Sequence, residues 1–185
     1  MVPAKVGMTG AAPSIDKDIM ILKKTEIFGA RYEPDILEND GQINTGMEEN
    51  IMKDVMILTG AGQIGMAIAR RMGYGKKIVI GDKKLENAQA VAKIMKDAGF
   101  DTVALETDLS SRASIQNLLA EAQKLGRIAM LVNAAGVSPS QAPIEAILKV
   151  DLYGTAVLLE EVGKVIKEGG VGVTISSQSG HRMPA

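Results

Sequence analysis

The chain has 185 residues, of which 46% are hydrophobic and 23% are charged, and its formal net charge is -1. This length and composition favour a soluble globular chain with one well-buried domain. Only 3% of the residues are aromatic, so the chain has neither the basic surface nor the stacking side chains of a nucleic-acid binder. There is no cysteine and one histidine, which excludes disulfides and thiolate ligands and leaves little scope for zinc. We expect no bound metal and no nucleic-acid partner.

No apolar run approaches the roughly 18 residues that a membrane span needs, and residues 1–12 lack the apolar core of a signal peptide. A cysteine-free chain also fits a reducing compartment. We therefore expect a cytoplasmic protein without a membrane partner.

Glycine and proline interrupt residues 1–50 too often for a long helix. We expect this part to be an N-terminal extension of uncertain structure, either mobile or packed on an edge, in which Asp18–Leu22 has the pattern of a strand. Residues 51–185 are expected to form the folded domain.

A strand, a glycine loop and a helix follow one another at the start of this domain. Val55–Leu58 is a short β-favouring run, and the loop after it contains Gly60, Gly62 and Gly65 in the pattern GxGxxG. Such a loop turns sharply, lets a pyrophosphate approach the backbone and allows the helix to pack closely on the strand. The helix is expected to start near the loop, so that its free N–H groups favour an anion. Its predicted apolar stripe consists of Ile64, Ala67, Ile68 and Met72.

An acidic residue ends the second predicted strand. Ile78–Ile80 is followed by Gly81 and Asp82, and Asp82 lies 22 positions after Gly60, where a dinucleotide fingerprint places the carboxylate that binds the adenosine ribose. An alternative is that Asp82 only caps the next helix. As a ribose ligand, the carboxylate favours NAD over NADP because it repels a 2′-phosphate, although Lys83 beside it offsets part of that repulsion.

Helices and strands alternate through the rest of the chain. The predicted strands are 102–105, 128–132 and 171–175; the predicted helices begin near Leu85, at Ser110 or Ser111, and at Pro143, and they end near Gly99, Gly126 and Gly169–Gly170. This alternation predicts an α/β fold: a doubly wound, Rossmann-like parallel sheet in three αβα layers, which stops after the fifth strand of the domain. Polar motifs follow every strand, at the edge where such folds bind ligands.

Together these motifs resemble the short-chain dehydrogenase/reductase family, over about residues 53–183. The resemblance assigns cofactor binding to the glycine loop, to the acidic position near the adenine and to an Asn-x-Ala-Gly motif. It also implies that Ser177 is the catalytic serine. An alternative for Ser177 is that it only stabilises a serine-rich turn. Asn133 is expected to support the sheet even within the family, and Asp108 has the alternative of simply starting a helix. The implied cofactor residues are Gly60, Ala61, Gly62, Gln63, Ile64, Gly65, Asp82, Lys83, Asp108, Leu109, Asn133, Ala134, Ala135 and Gly136.

The sequence departs from the family pattern in three places. The loop is one residue shorter than the family's TGxxxGxG, and Asp151 stands where the family has a catalytic asparagine, so that a relay through this position would be altered. No tyrosine is followed four positions later by lysine, although the family's Tyr-x-x-x-Lys pair supplies the acid/base. His181 is interpreted as a loop residue.

The resemblance implies an NAD(P)-dependent oxidoreductase that transfers hydride between a nicotinamide cofactor and a small alcohol or carbonyl substrate, or the cofactor-binding part of one. We expect the 185-residue chain alone to be inactive. The alternative is a non-catalytic nucleotide-binding module without the Tyr/Lys pair. The apolar fourth helix resembles one that family members use for subunit pairing, which implies a homo-oligomer.

Overall fold

The computed structural model describes residues 19–23, 52–178 and 182. The strands are β1 (Ile19–Lys23), β2 (Asp54–Thr59), β3 (Lys77–Asp82), β4 (Asp101–Glu106), β5 (Arg127–Asn133) and β6 (Val171–Ile175). The helices are α1 (Gln63–Met72), α2 (Leu85–Asp97), α3 (Arg112–Leu125), α4 (Ile144–Ile147), a π-helical segment π1 (Leu148–Gly154) and α5 (Thr155–Val165). None of these helices is long and apolar enough to cross a membrane.

The strands of the described residues form one sheet in the order β1-β6-β5-β2-β3-β4. Strands β2 to β6 are mutually parallel, which confirms the predicted α/β fold. The chain runs outward from β2 through β3 to β4 and then returns to the other side of β2 with β5. The strand order therefore reverses between β2 and β5, and this is the point at which doubly wound folds bind ligands.

Strand β1 is antiparallel to β6 and lies at the edge of the sheet, where Ile19 is paired with Ile175 and Lys23 with Val171. The strand predicted at Asp18–Leu22 is thus confirmed with a shift of one residue. The usual doubly wound sheet has a sixth parallel strand at this position, so the antiparallel β1 differs from the all-parallel expectation. The rest of residues 1–50, and His181, lie outside the described residues.

Side chains of β2 alternate between the two faces of the sheet and define two hydrophobic clusters. Val55 and Ile57 belong to the cluster that α3 and α5 complete, whereas Met56 and Leu58 belong to the cluster that α1 and α2 complete. All four side chains are fully buried, as expected for a strand covered on both faces. The three-layer arrangement is therefore confirmed, and its two cores hold the strand ends in place.

The predicted apolar stripe of α1 is wrong in three of its four residues. Ile68 is partly buried against the core, but Ile64 and Met72 are 60% and 48% exposed and Ala67 is exposed as well. The buried residues of this helix are Gly65 and Ala69. A Cβ at Gly65 would lie 2.8 Å from Leu58 Cδ1, so the helix approaches β2 through its smallest side chains. Close approach through Gly65 and Ala69, with Met66 and Ile68 partly buried beside them, orients α1.

The single long helix predicted after Pro143 is interrupted by π1. Each π turn holds more residues than an α turn, so the side chains that follow it are rotated relative to those before it. Leu148 and Leu152, within π1, are 51% and 67% exposed, whereas α5 buries Val157 and Leu158 among others. The helix also ends at Val165, before the predicted glycine stop.

Candidate functional site

Gly60, directly after β2, joins three loops at the carboxyl edge of the sheet. Its φ is +85°, and an added Cβ would lie 2.6 Å from the backbone nitrogen of Ala135, in the loop after β5. The Gly60 amide donates to the carbonyl of Gly81, at the end of β3, over 2.8 Å. Both the backbone conformation and the contact require glycine here.

Gly62 is the N-cap of α1 and lies in open space. No atom lies within 4 Å of a Cβ built on it, and no side chain caps the helix. The first turn of α1 carries no acidic residue, and the exposed Gln63 and Ile64 flank it. The start of α1 thus offers its positive end to an anion.

The carboxylate of Asp82 connects the glycine loop with the start of α2. Oδ2 accepts from the Ala61 amide over 2.9 Å, and Oδ1 accepts from the Lys84 amide over 2.9 Å and from Asn87 Nδ2 over 3.4 Å. Lys84 is the N-cap residue of α2, so Asp82 accepts from the N-cap amide rather than from an amide of the first helical turn. Asp82 also lies beside Ala61 of the glycine loop, and its role as a ribose ligand stays a prediction.

Asp108 follows β4, and its side chain is held in its ionised form. Oδ1 accepts from the Ser110 amide over 2.9 Å and from the Ser110 hydroxyl over 2.7 Å, and Oδ2 lies 3.0 Å from Lys83 Nζ. Burial is the largest influence and opposes ionisation, but the Ser110 hydrogen bonds and the Lys83 charge together outweigh it and lower the pKa of Asp108. The carboxylate therefore stays charged at neutral pH.

Asn133 lies beneath the site and ties elements together. The Thr59 hydroxyl donates to Asn133 Oδ1 over 2.7 Å, and Asn133 Nδ2 donates to the Thr155 hydroxyl over 3.2 Å. Asn133 is buried and links β2 and β5 to α5. This geometry supports the expected structural role of the residue.

Asp151 lies in the middle of π1, and its Oδ1 accepts from the Val137 amide over 3.0 Å. A Cβ on Gly154 would come within 2.5 Å of the Leu109 carbonyl, so π1 packs directly on the loop after β4. A carboxylate accepts hydrogen bonds and donates none, and here it fixes the loop that follows β5. Ser177 lies two residues beyond β6, at the same edge of the sheet, and is exposed.

The loops after β2, β3, β4 and β5 enclose a cleft of about 310 Å³ at this edge, near the lower end for a small-molecule site. Ten of the predicted cofactor residues line it: Gly60, Ala61, Gly62, Asp82, Lys83, Asp108, Leu109, Ala134, Ala135 and Gly136. Gln63, Ile64, Gly65 and Asn133 are absent from the lining. Gly65 and Asn133 instead support it from below, while Gln63 and Ile64 lie outside at the helix start.

Sequence reasoning missed several residues of the lining, among them Thr107, Asn87 and Val137. Asn87 lies one turn into α2 and contacts Asp82. Thr107 immediately precedes Asp108, and its buried hydroxyl has no hydrogen-bond partner. Proximity to the acidic residues was the available signal for both. No group of three or more potential metal ligands occurs among the described residues.

Comparison with known proteins identifies the class. The family model for short chain dehydrogenase matches residues 54–185. A short-chain dehydrogenase/reductase, bsc3, of Alternaria brassicicola is 38% identical over 131 residues, which are 71% of this chain and 48% of that protein. The chain therefore belongs to the short-chain dehydrogenase/reductase family. It spans about half the length of the curated relatives it matches.

Solved structures give the same fold. A Burkholderia phymatum short-chain dehydrogenase/reductase in complex with NAD matches with a TM-score of 0.55 and 23% identity, over 63% of this chain and 45% of that one. A variant of actinorhodin polyketide ketoreductase with NADPH matches with a TM-score of 0.53 and 26% identity, over 60% of this chain and 46% of that one.

Proposed function

We propose that the chain provides the cofactor-binding part of an NAD(P)-dependent oxidoreductase, which transfers hydride between a nicotinamide cofactor and a small alcohol or carbonyl substrate. One observation carries the proposal. Four loops from the switch point of the sheet converge on one cleft, and ten of the residues that line it were expected to bind the cofactor from the sequence motifs and their resemblance to the family. We assign this role to residues 51–185.

The described residues fit a dinucleotide. Gly62 leaves open space at the start of α1, where no side chain competes for the helix N–H groups, and this is the environment that a pyrophosphate needs. Asp82 would accept from the adenosine ribose hydroxyls, and Asp108 with Leu109 would contact the adenine.

We infer a preference for NAD over NADP. The Asp82 carboxylate repels a 2′-phosphate, and Nζ of Lys83, the next residue in the chain, lies 3.0 Å from Asp108 Oδ2. Lys83 is therefore already engaged by a carboxylate and offsets less of the repulsion than a free lysine would.

A bound nicotinamide ring would supply the hydride acceptor or donor. Ser177 would donate a hydrogen bond to the substrate oxygen and polarise it. Asp151 would hold the loop after β5 against π1 through the Val137 amide. Since no Tyr-x-x-x-Lys occurs in the 185 residues, we propose that this chain binds cofactor without turning over an alcohol at an appreciable rate.

Calorimetric titration of the full chain with NADH and with NADPH tests the proposal. We expect saturable binding with one site per chain, tighter for NADH, and we expect Asp82→Asn to narrow the difference between the two cofactors. Asp97→Asn is the matched control, because Asp97 is an exposed carboxylate at the end of α2 that pairs with Lys93 and lies outside the cleft lining. If neither dinucleotide binds, the proposal is wrong.

The second candidate is a non-catalytic nucleotide-binding module, which Asp151 favours because a carboxylate there cannot donate a hydrogen bond. Both candidates predict that the 185-residue chain binds cofactor without appreciable turnover, so the coding sequence beyond residue 185 separates them: a Tyr-x-x-x-Lys there would support the enzyme, and its absence would support the module. Absorbance at the NADH band during incubation with a panel of alcohols and ketones tests the proposed inactivity of the chain itself. Turnover that disappears in Ser177→Ala would contradict that inactivity and would exclude the module.

We also propose a cytoplasmic homo-oligomer. Ile144, Leu148, Leu152 and Tyr153 are between 47% and 67% exposed on α4 and π1, on the helix that resembles the family's pairing element. Burial of such a patch is favourable. Light scattering should report a dimer or larger species that Leu152→Glu dissociates, and a monomeric native chain would contradict this assembly.

Fractionation of the native host cells should recover the protein in the cytosol, and recovery elsewhere would contradict this location.

A further inference from the structure

Helices α1 and α2 both end at the amino edge of the sheet, opposite the cofactor cleft. Helix α1 ends at Met72, before β3 begins at Lys77, and α2 ends at Asp97, before β4 begins at Asp101. Both helices cover the same face of the sheet, because both complete the same hydrophobic cluster. Their last turns and the connections to β3 and β4 therefore share one end of this layer.

That end of the layer carries cations without an acidic partner. Four basic side chains form no ion pair with any other described residue: Arg70, Arg71, Lys76 and Lys96. Arg70, Arg71 and Lys96 are exposed. The two carboxylates at the same end, Asp97 and Asp101, are already paired with lysine side chains. The positive charge of the four cations is therefore not compensated by the described residues around them.

Large apolar side chains are exposed among these cations. Tyr74, in the connection between α1 and β3, is 87% exposed, and Met72 at the end of α1 is 48% exposed. Exposed apolar groups that lie together with like charges are typical of a surface that contacts another segment or molecule. We call this group the basic surface: Arg70, Arg71, Met72, Tyr74, Lys76 and Lys96.

One segment of the chain has the complementary composition. Residues 32–50, which lie outside the described residues, include carboxylates but no lysine or arginine. The six carboxylates belong to Glu33, Asp35, Glu38, Asp40, Glu48 and Glu49, and apolar residues such as Leu37 and Ile43 lie between them. This acidic segment could therefore satisfy both the charge and the apolar groups of the basic surface.

The part of the chain that contains the acidic segment is held at the amino edge at both of its ends. Lys23, the last residue of β1, is paired with Val171, the first residue of β6, and β2 begins at Asp54. Strands β1 and β2 are three positions apart in the sheet, which is about 14 Å. Residues 24–53 could span roughly 100 Å if extended, so most of their length is available to reach other parts of this edge.

The acidic segment also ends close to the basic surface. Strand β3 is the neighbour of β2, and Lys77, next to Lys76, is paired with Val55. Glu49 precedes Val55 by six positions, which an extended chain spans over about 20 Å, whereas neighbouring strands are about 5 Å apart. The short connection keeps the carboxylates at a high effective concentration near the cations.

We propose that the acidic segment docks on the basic surface of its own chain. Its carboxylates pair with the four cations, and its apolar residues cover Met72 and Tyr74. The attraction is strong at low salt and weak at high salt, because added ions screen exposed charges. The inference is independent of the proposed function, since no residue of the basic surface lines the cofactor cleft.

Carbodiimide cross-linking of the full chain, followed by mass spectrometry, tests the docking, because this reagent joins a carboxylate to a lysine amine that is in contact with it. We expect links from residues 32–50 to Lys76 and Lys96. We expect few links to Lys124, which is exposed in the last turn of α3, on the other face of the sheet. Raising the salt from about 0.1 M to about 1 M should lower the yield at Lys76 and Lys96 by about threefold or more.

The double substitution Arg70→Gln, Arg71→Gln removes two cations and keeps both reporter lysines. The yield at Lys76 and Lys96 should again fall by about threefold or more. Lys149→Gln is the matched control, because it removes an exposed cation of π1 that also has no ion pair with the described residues, and it should change the yield by less than about twofold. Equal yields at Lys124, or yields that neither salt nor the arginine substitutions lower, would each overturn the inference.

A mixture of isotope-labelled and unlabelled chains separates docking within one chain from docking on a second copy. We expect the links to join residues of the same label. Links that join the two labels would show that a second copy supplies the carboxylates, and they would overturn the inference. Binding of the native chain to phosphatidylserine vesicles at about 0.1 M salt would also overturn it, because the basic surface would then be open to an external anion.

Discussion

Gly62→Ala separates the binding role of the glycine loop from its structural role. The backbone at Gly62 has φ −91° and ψ 174°, which alanine adopts freely, and the added Cβ meets no atom within 4 Å. Alanine is a poorer N-cap than glycine by roughly 0.5–1 kcal/mol, but it stabilises by about 0.4–1 kcal/mol through the unfolded chain. The free energy of unfolding should therefore change by less than ~0.5 kcal/mol.

The same methyl group would occupy the space through which a pyrophosphate approaches the start of α1. Losing one charge-assisted hydrogen bond from the helix N–H groups costs about 1.5–3 kcal/mol, which corresponds to roughly tenfold to hundredfold weaker binding. We expect calorimetry to show this loss for NADH while the melting temperature shifts by less than about 2 °C.

Gly75→Ala provides the contrast, because Gly75 has φ +73° and lies between α1 and β3, outside the cleft lining. No atom lies within 4 Å of its added Cβ, so only the backbone conformation penalises alanine, by about 1–2 kcal/mol. It should lower the melting temperature and leave NADH binding intact. If Gly62→Ala binds NADH as the native chain does, the phosphates do not approach the backbone at Gly62.

Three further substitutions test the supports of the site and of the fold. Gly60→Ala combines a positive φ with a Cβ 2.6 Å from Ala135, so the unfolding free energy should fall by roughly 3 kcal/mol. An unchanged melting temperature would contradict the close approach of Gly60 to Ala135. Lys83→Met removes the cation beside Asp108. It should weaken the binding of NADPH several-fold and change the binding of NADH less than about twofold. Equal changes in the two affinities would show that Lys83 does not discriminate between NADPH and NADH. The Arg112 guanidinium is the main cause that lowers the pKa of Glu160 from 4.5 to about 2. The stabilisation of the fold by ionised Glu160 is therefore complete above about pH 4.5 and is lost as the pH falls toward 2. The difference in unfolding free energy between the native chain and Glu160→Gln should shrink over that interval, and a constant difference would refute the ion pair.

The strands and the loops after them were predictable because their signals are local. A short apolar run followed by glycine, as at Val55–Gly60, predicts a buried strand and a turn without knowledge of the rest of the chain. Parallel topology then places the carboxyl ends of all such strands at one edge. This is why the sequence was sufficient to assemble most of the cleft lining.

The helices were harder to predict because their orientation depends on packing. The buried side of α1 is set by Gly65 and Ala69, whose small side chains contribute little to an apolar stripe. The π1 segment shifts the face of the helix through contacts distant in sequence, such as Gly154 against Leu109.

Amide chemical-shift mapping of the full chain during titration with NADH tests the central claim most directly. The account predicts saturable chemical-shift changes for the backbone amides of the loops that line the cleft, at 60–62, 107–109 and 134–137. The chemical shifts of amides in α3 and α5 away from the cleft should not change. Shifts that map to another surface, or no saturable shifts at millimolar NADH, would contradict a dinucleotide site at this edge of the sheet.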